Sequence, residues 1–372
     1  MSGIQCEICG GQIEMQSGGS KGICVQCGIT YSADRVRELY SGKRTPVTSG
    51  GNAAYTEFDI RDGVLVKYNG RKEKVVVPYG VKRIGERAFL DNICVKEVVL
   101  ADTVSMIDWE AFKGTKSLKK INLTDRIKEI GESAFSGAAL ESVTIPPVIK
   151  LGEFTFCGCS SLVSVVFLAG VEEIGSYAFS GCGNLSNLIL PDTIKCIESH
   201  AFEMCEKLNT LTFPDTLEII GAEAFHGCKN LTGVNLNKNI KHIGMSAFSE
   251  CGIEWLRIMS KEISLAWNAF GKCNKLSSVT ITGKITYYEG DLCNLHTLFT
   301  ECENVKEVTC EENYVEELFG SNNNIERLNG EIYASKSKKM QRRQAYTCQY
   351  CGGTFKGVFS KVCSQCGKPK DY

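Results

Sequence analysis

Apolar and small residues recur along this chain in a fixed order: isoleucine, glycine, two variable residues, alanine and phenylalanine. The phenylalanines of this phrase are separated by steps of 23, 23, 21, 23, 23, 23, 23 and 22 residues. They are Phe89, Phe112, Phe135, Phe156, Phe179, Phe202, Phe225, Phe248 and Phe270. A constant period of roughly 20 to 30 residues is typical of solenoids, in which each coil buries its apolar face only against its neighbours. The pattern therefore predicts an elongated stack of coils that presents a long surface.

The unit from Phe179 to Phe202 shows the elements expected in each coil. Its leucines follow a Leu-x-x-Leu-x-Leu order that predicts a short strand, and Pro191 ends that strand because proline cannot donate to a ladder. Ile194 and Ile197 predict a second, shorter inward-facing pair. A short helical turn is expected where the unit closes on its alanine and phenylalanine. In most coils a glycine follows the second pair, where a sharp bend is expected.

The full pattern, Leu-x-x-Leu-x-Leu-Pro-x-x-Ile-x-x-Ile-Gly-x-x-Ala-Phe-x-x-Cys, resembles the BspA-type (Treponema-type) leucine-rich repeat over residues 81–285. The resemblance implies a leucine-rich-repeat solenoid, mostly β, with parallel strands joined by short turns or helical turns. Residues 58–70 resemble the hairpin that caps the first repeat of this family, so 54–80 is assigned to an N-terminal cap. The pattern recurs irregularly over 286–330, which predicts degenerate capping repeats. Members of this family are commonly exported surface or adhesion proteins.

Both ends of the chain carry two Cys-x-x-Cys-Gly knuckles, within residues 1–30 and 346–372. Two knuckles supply four thiolates, the closed tetrahedral set of a structural zinc site, and segments this short need a metal to fold. We therefore expect two Zn²⁺ ions, one in each ribbon, although ligand type alone leaves iron open. The ribbons resemble short zinc ribbons of bacterial and archaeal proteins. The eight predicted ligands are Cys6, Cys9, Cys24, Cys27, Cys348, Cys351, Cys363 and Cys366.

Charge is distributed unevenly between the body of the chain and its C-terminal end. Residues 334–372 carry nine basic groups and one acid, whereas residues 1–333 carry 33 basic and 42 acidic groups. Residues 31–53 and 331–345 are interpreted as linkers, the first flexible and the second basic. The basic run 336–343 also leaves open a nucleic-acid contact made by this linker and the C-terminal ribbon.

The interior of the repeats contains cysteines but no arrangement that predicts catalysis. A cysteine stands three residues after the phenylalanine in six consecutive repeats, at Cys159, Cys182, Cys205, Cys228, Cys251 and Cys273. Stacked coils would bring these thiols within reach of a disulfide or a shared metal, but packing as small buried apolar groups is the favoured interpretation. The four histidines, His200, His226, His242 and His296, show no ligand or catalytic spacing to an acid or a cysteine. The chain is accordingly predicted not to be an enzyme.

The outward positions of the main strand alternate with the buried leucines and are rich in serine, threonine and asparagine. Trp255 and Arg257 stand near the C-terminal end of this series, and tryptophan and arginine are residue types that anchor interfaces. A protein or peptide partner is therefore expected on this surface, with a glycan as an alternative ligand. The other interpretation is that serine and threonine simply suit the surface of a parallel sheet. The residues assigned to it are Asn187, Thr210, Thr212, Asn235, Trp255 and Arg257.

The chain begins Met1-Ser2-Gly3 without a leader-like segment, and no stretch approaches the ~18 apolar residues needed to span a bilayer. Twenty cysteines without an export signal favour reduced thiols in a cytoplasm. The function predicted is a non-enzymatic protein-interaction scaffold with a structural zinc ribbon at each end. A nucleic-acid-associated protein and an exported adhesin are the alternatives, and neither the partner nor the oligomeric state follows from the sequence.

Overall fold

The computed structural model describes residues 4, 6, 12–15, 21–25, 30–32, 36, 57–209, 211–287 and 298–309. The first three strands form an antiparallel meander, and the fourth and fifth form a hairpin that leads into a parallel solenoid. The strands are β1 (Ile13–Met15), β2 (Lys21–Cys24), β3 (Thr30–Ser32), β4 (Phe58–Arg61), β5 (Val64–Tyr68), β6 (Lys74–Val76), β7 (Arg83–Ile84), β8 (Glu97–Val99), β9 (Met106–Ile107), β10 (Lys120–Ile121), β11 (Glu129–Ile130), β12 (Ser142–Ile145), β13 (Lys150–Leu151), β14 (Ser164–Phe167), β15 (Glu173–Ile174), β16 (Asn187–Ile189), β17 (Cys196–Ile197), β18 (Ile219–Ile220), β19 (Gly233–Leu236), β20 (His242–Ile243), β21 (Trp255–Ile258), β22 (Glu262–Leu265), β23 (Ser278–Ile281), β24 (Lys284–Tyr287) and β25 (Glu307–Thr309).

Most coils contribute one strand to each of two faces, although the coil that contains β18 has no main-face strand among the described residues. The main face contains the sheets β10-β8-β6, β12-β14-β16 and β19-β21-β23-β25. The second face contains β11-β9-β7-β5-β4 and β13-β15-β17-β18-β20-β22-β24. The main face is interrupted between β10 and β12, and the second face between β11 and β13. In the same stretch the step between phenylalanines shortens to 21 residues. Coils of unequal length cannot keep both strand ladders in register.

The repeated phenylalanines form a continuous column through the core. Neighbouring rings are nearly parallel, for example Phe179 on Phe202 with centroids 5.2 Å apart and planes inclined by 3°. The column continues across the interrupted sheets, where Phe135 and Phe156 also lie 5.2 Å apart. At its ends Tyr68 of the hairpin stacks on Phe89, and Phe299 stacks on Phe270. The aligned spine that the period predicts is confirmed.

The segment that closes each coil differs from the expected helical turn. It carries two left-handed residues four positions apart, as at Tyr177 (φ 58°) and Gly181 (φ 73°). Such residues interrupt a right-handed helix. The amide between them donates to the next coil instead, as Phe179 N does to Ala201 O at 2.8 Å. The prediction of a helical turn is therefore wrong, because amides that bond along the chain, such as Ser180 N to Tyr177 O at 3.1 Å, alternate with amides that bond to the next coil.

The glycine after the second strand also has a different cause from the one expected. Gly175 and Gly221 are not among the left-handed residues of the described chain. A β-carbon on Gly221 would come 2.5 Å from Ser199 N, and one on Gly175 would come 2.6 Å from Leu151 O. These positions are restricted to glycine because the preceding coil's backbone lies against them.

The cysteine column is buried, and its thiols are not joined in disulfides. Each thiol donates to the carbonyl of a phenylalanine in the preceding part of the column, as Cys205 Sγ does to Phe179 O at 3.3 Å. Burial raises the pKa of the Cys159 thiol to about 12, which keeps it neutral. The structure thus agrees with packing as the role of these residues. It adds Cys302, whose Sγ lies 3.1 Å from Phe270 O.

Candidate partner-binding surface

The outer face of the main sheet is produced by strict alternation along each strand. In β12, for example, Val143 and Ile145 are buried while Ser142 and Thr144 are exposed. The parallel pairing is in register, so that Thr144 stands beside Val166 and Val166 beside Ile189. Residues at equivalent positions of successive coils therefore form rows along the solenoid, about 4.8 Å apart from strand to strand.

The first two strands of this face are covered by the N-terminal segment. Val75 and Val98 point into the solenoid core, so Val76 and Val99 lie on the opposite side of β6 and β8. Val99 is nevertheless buried, in an apolar cluster that also contains Val76 at its edge. The members that the N-terminal segment contributes are Ile4, Cys6, Ile13, Cys24 and Val36. An apolar part of the outer face therefore has a partner within the chain itself.

Further along the same row, two apolar side chains are exposed and no described residue covers them as Val99 is covered. Val166 is 47% exposed and Ile189 is 77% exposed, and they are direct neighbours on β14 and β16. Val166 and Ile189 are cross-strand neighbours on the outer face, as Val76 and Val99 are. The sequence interpretation emphasised the polar character of this stretch and did not select either residue. The signal that could have identified them is two successive apolar residues at outward positions of adjacent repeats.

The aromatic end of the outer face is formed by β19 and β21. Trp255 pairs with Gly233, and its indole covers the space that a side chain at Gly233 would occupy. The Arg257 guanidinium carbon lies 5.8 Å from the centroid of the indole, at the outer limit of a cation–π contact. Trp255 remains 42% exposed. The arrangement offers an apolar plate beside a positive charge.

The structure describes the side chains of two of the other four predicted partner-binding residues. Asn235 and Thr212 are exposed, and Asn235 stands beside Arg257 in the register of β19 and β21. The backbone of Asn187 lies in β16, while its side chain is outside the described part of the structure. Thr210 lies outside the described residues.

Two of the eight predicted metal ligands fall within the described residues. Cys6 and Cys24 are both fully buried in the N-terminal apolar cluster. Ile13 connects them, since its amide donates to Ile4 O at 2.7 Å and its Cα partner in the hairpin is Cys24. Both thiols are thus buried in one cluster, Cys24 at the end of β2 and Cys6 in the segment that precedes the hairpin. The predicted ligands Cys9, Cys27, Cys348, Cys351, Cys363 and Cys366 lie outside the described residues.

One histidine does have acidic neighbours, contrary to the interpretation of the sequence. His200 Nδ1 lies 3.2 Å from Glu203 Oε2 and 3.7 Å from Glu223 Oε2. Spacing within one repeat does not reveal the contact with Glu223, which is one full period, 23 residues, beyond His200. Stacking places residues that are one period apart side by side. His296 lies outside the described residues.

The part of the chain that the structure describes contains no helix long and apolar enough to cross a bilayer.

The repeats match a known family, and the fold resembles a solved structure. A model of the BspA type leucine rich repeat region matches six copies, within residues 82–209 and 195–326. No curated protein sequence matches the chain. Among solved structures, a leucine-rich repeat protein from Bacteroides ovatus is 25% identical with a TM-score of 0.55, and the match covers 65% of this chain and 61% of that one.

Two further solved structures match with lower TM-scores. A leucine-rich repeat protein from Eubacterium ventriosum is 25% identical with a TM-score of 0.42, over 45% of this chain and 46% of that one. A leucine rich cell surface protein from Faecalibacterium prausnitzii is 20% identical with a TM-score of 0.33, over 70% and 93% respectively. The chain thus spans about three fifths of the Bacteroides protein and less than half of the Eubacterium protein.

Proposed function

Because this chain belongs to the family of proteins built from BspA-type leucine-rich repeats, we propose that it is a non-enzymatic scaffold that binds a protein partner through the outer face of its main sheet. The stacked coils provide a rigid surface. Because the phenylalanine column supplies the packing inside, the outward-facing residues are available to contact a partner. Repeat surfaces of this kind suit extended contacts with a partner better than an enclosed catalytic pocket.

The observation that carries the proposal is the covered valine pair at the start of the outer face. Val76 and Val99 already bind an apolar segment, in which Ile13 and Val36 are buried. Val166 and Ile189 present the same chemistry in the same row but remain open. Two adjacent exposed apolar side chains on a largely polar outer face favour an interaction site. We therefore place the centre of the contact at Val166 and Ile189.

Trp255 and Arg257 extend this contact toward the C-terminal coils. Three coil steps separate β16 from β21, so Ile189 and Trp255 lie about 14 Å apart along the face. A partner that spans both must present an apolar side chain to the first site. At the second it must present a flat or acidic group, which the indole and the guanidinium would receive. This combination favours a folded protein or an extended peptide as the partner.

The ribbons complete the proposed scaffold. Cys6 and Cys24 would supply two thiolates of the N-terminal zinc site, and their burial in one apolar cluster supports that assignment. A closed set of four sulfurs would hold the fold of the ribbon without performing chemistry. We propose the same role for the C-terminal cysteines. The ribbon docked on Val76 and Val99 would then depend on its metal for that contact.

The test is a comparison of partners recovered by full-length variants from the native lysate. We expect Val166→Ser combined with Ile189→Ser to lose a specific protein that the unchanged chain retains, and Trp255→Ala combined with Arg257→Ala to weaken it. Lys229→Ala, on an exposed pair with Glu206, is the control and is expected to retain the partner. Retention of the same protein by all variants would refute the proposed surface. Salt-sensitive recovery of nucleic acid, unaffected by either face variant, would instead support the nucleic-acid alternative.

A further inference from the structure

A second site lies away from the outer face, on the turns that close successive coils. His200 is the left-handed residue (φ 58°) two positions before Phe202, and Glu223 (φ 52°) occupies the same position one coil later. Glu203 directly follows Phe202. One ligand atom of each of the three side chains lies within 4.8 Å of the other two. The side chains are half-buried, so they remain accessible to a small solute.

The two carboxylates of this cluster share a single basic contact within the part of the chain that the structure describes. Within the described residues, neither Glu203 nor Glu223 forms an ion pair with a lysine or an arginine, and His200 is their one basic contact. The corresponding position of an earlier coil, Glu110, is treated differently. Its carboxylate pairs with Arg87 at 2.7 Å and also with Lys113. Two adjacent carboxylates without such partners repel each other, and a bound cation would remove that repulsion.

The imidazole is held in a fixed orientation toward the carboxylates. Its ring stacks on Tyr177 at 4.3 Å with an inclination of 5°, and Tyr177 stacks in turn on Phe154 at 4.6 Å. Glu203 Oε2 also accepts a hydrogen bond of 3.2 Å from Ser180 Oγ. Metal ligands are commonly oriented by such outer contacts. The site therefore needs little rearrangement to close on an ion.

The distances fit a transition ion. Bonds of about 2.0–2.2 Å to nitrogen and carboxylate oxygen place tetrahedral ligand atoms about 3.4 Å apart. The observed separations from His200 Nδ1, 3.2 and 3.7 Å, lie on either side of that value. We propose that His200, Glu203 and Glu223 form a binding site for a divalent first-row transition ion, with Zn²⁺ as the probe. One imidazole and two carboxylates suit this class of ion, and solvent would supply the remaining ligand.

The experiment measures bound zinc in the full-length chain after equilibration with buffered free Zn²⁺. His200→Ala and Glu223→Gln are each expected to lose about one zinc ion per chain, as removal of one ligand of three should. His242→Gln and Glu206→Gln, which change the same residue types elsewhere, are the matched controls and are expected to lose none. Any zinc held by the cysteine ribbons is common to all variants. Equal zinc content in every variant would overturn the proposal.

Thermal unfolding separates metal binding from an ordinary ion pair. In EDTA, Glu223→Gln is expected to unfold at the same or a higher temperature than the unchanged chain, because it removes one of two repelling charges. With Zn²⁺ present the order is expected to reverse, since only the unchanged chain gains stability from this site. Destabilisation of the variant to the same extent in both conditions would assign the cluster a purely structural role. If His200→Ala fails to fold, Glu223→Gln alone decides the question.

Discussion

The indole of Trp255 occupies the space beside Gly233 on the neighbouring strand, where a β-carbon would come 2.7 Å from the indole Nε1. The absence of a side chain on β19 thus determines where the aromatic plate of the outer face lies. A tryptophan without this support would lose contacts on one side. Gly233 therefore contributes to the proposed interface by leaving room for the indole of Trp255, although it has no side chain itself.

Gly233→Ala is expected to displace the indole and to increase its exposure to solvent. Acrylamide quenching of tryptophan emission should rise, and partner binding should weaken by up to the effect of Trp255→Ala. Gly183→Ala is the control, because its added β-carbon would meet nothing closer than Met204 O at 3.9 Å. Unchanged quenching in Gly233→Ala would mean that the glycine does not position the indole.

Phe202→Ala is expected to lower the free energy of unfolding by about 3–5 kcal/mol, because it leaves a cavity in a column of stacked rings. Phe202 is fully buried between Phe179 and Phe225. Ile189→Ala, which removes an exposed side chain, is expected to change that free energy by no more than about 0.5 kcal/mol. Urea unfolding followed by circular dichroism measures both. Similar losses for the two variants would contradict the continuous apolar spine.

Stability is expected to fall as the pH rises above about 9. Burial raises the pKa of Cys159 to about 12 and raises the pKa values of Cys182, Cys205 and Cys251 well above the ordinary 9.0. Above pH 9 the unfolded chain loses these protons while the folded chain keeps them, up to about pH 12 for Cys159, so rising pH favours unfolding. Each thiol contributes a slope of about 1.4 kcal/mol per pH unit.

Unfolding in urea across this pH range tests the thiol contribution. Cys159→Ala should be less stable than the unchanged chain at pH 7, but its stability should decline less steeply above pH 9. Below pH 9 the two curves should run parallel. Identical slopes above pH 9 would show that the thiol is not held neutral by the fold.

Val99→Asp is expected to release the N-terminal hairpin from the outer face, because a carboxylate would enter the apolar cluster of Cys6, Ile13 and Cys24. Hydrogen exchange should then show faster exchange of the amides of residues 13–15 and 22–24. Val166→Asp makes the same change on the same row at an exposed position and is the matched control. Equal protection in the two variants would place the hairpin elsewhere.

The amino-acid sequence by itself determined the solenoid. A 23-residue step between phenylalanines specifies which residues stack, since coils of equal length bring equivalent positions together. The buried leucines, the phenylalanine column and the packing of Cys205 and its equivalents follow from that spacing. The exposed Trp255 and Arg257 were also identified from alternation along a strand. These features depend on patterns within one repeat.

The remaining features were decided by contacts between coils, which a pattern within one repeat does not contain. The left-handed turn at Tyr177 arises because the amide of Phe179 bonds to the next coil, and Gly221 is required by the backbone of the coil before it. His200 meets Glu223 only after one coil is stacked on another. Val99 is buried because described residues of the N-terminal segment pack on it, whereas Val166 is 47% exposed. Spacing within one repeat determines the structure of the coil. Contacts with neighbouring coils and with the N-terminal segment determine which outward residues are buried, paired or exposed.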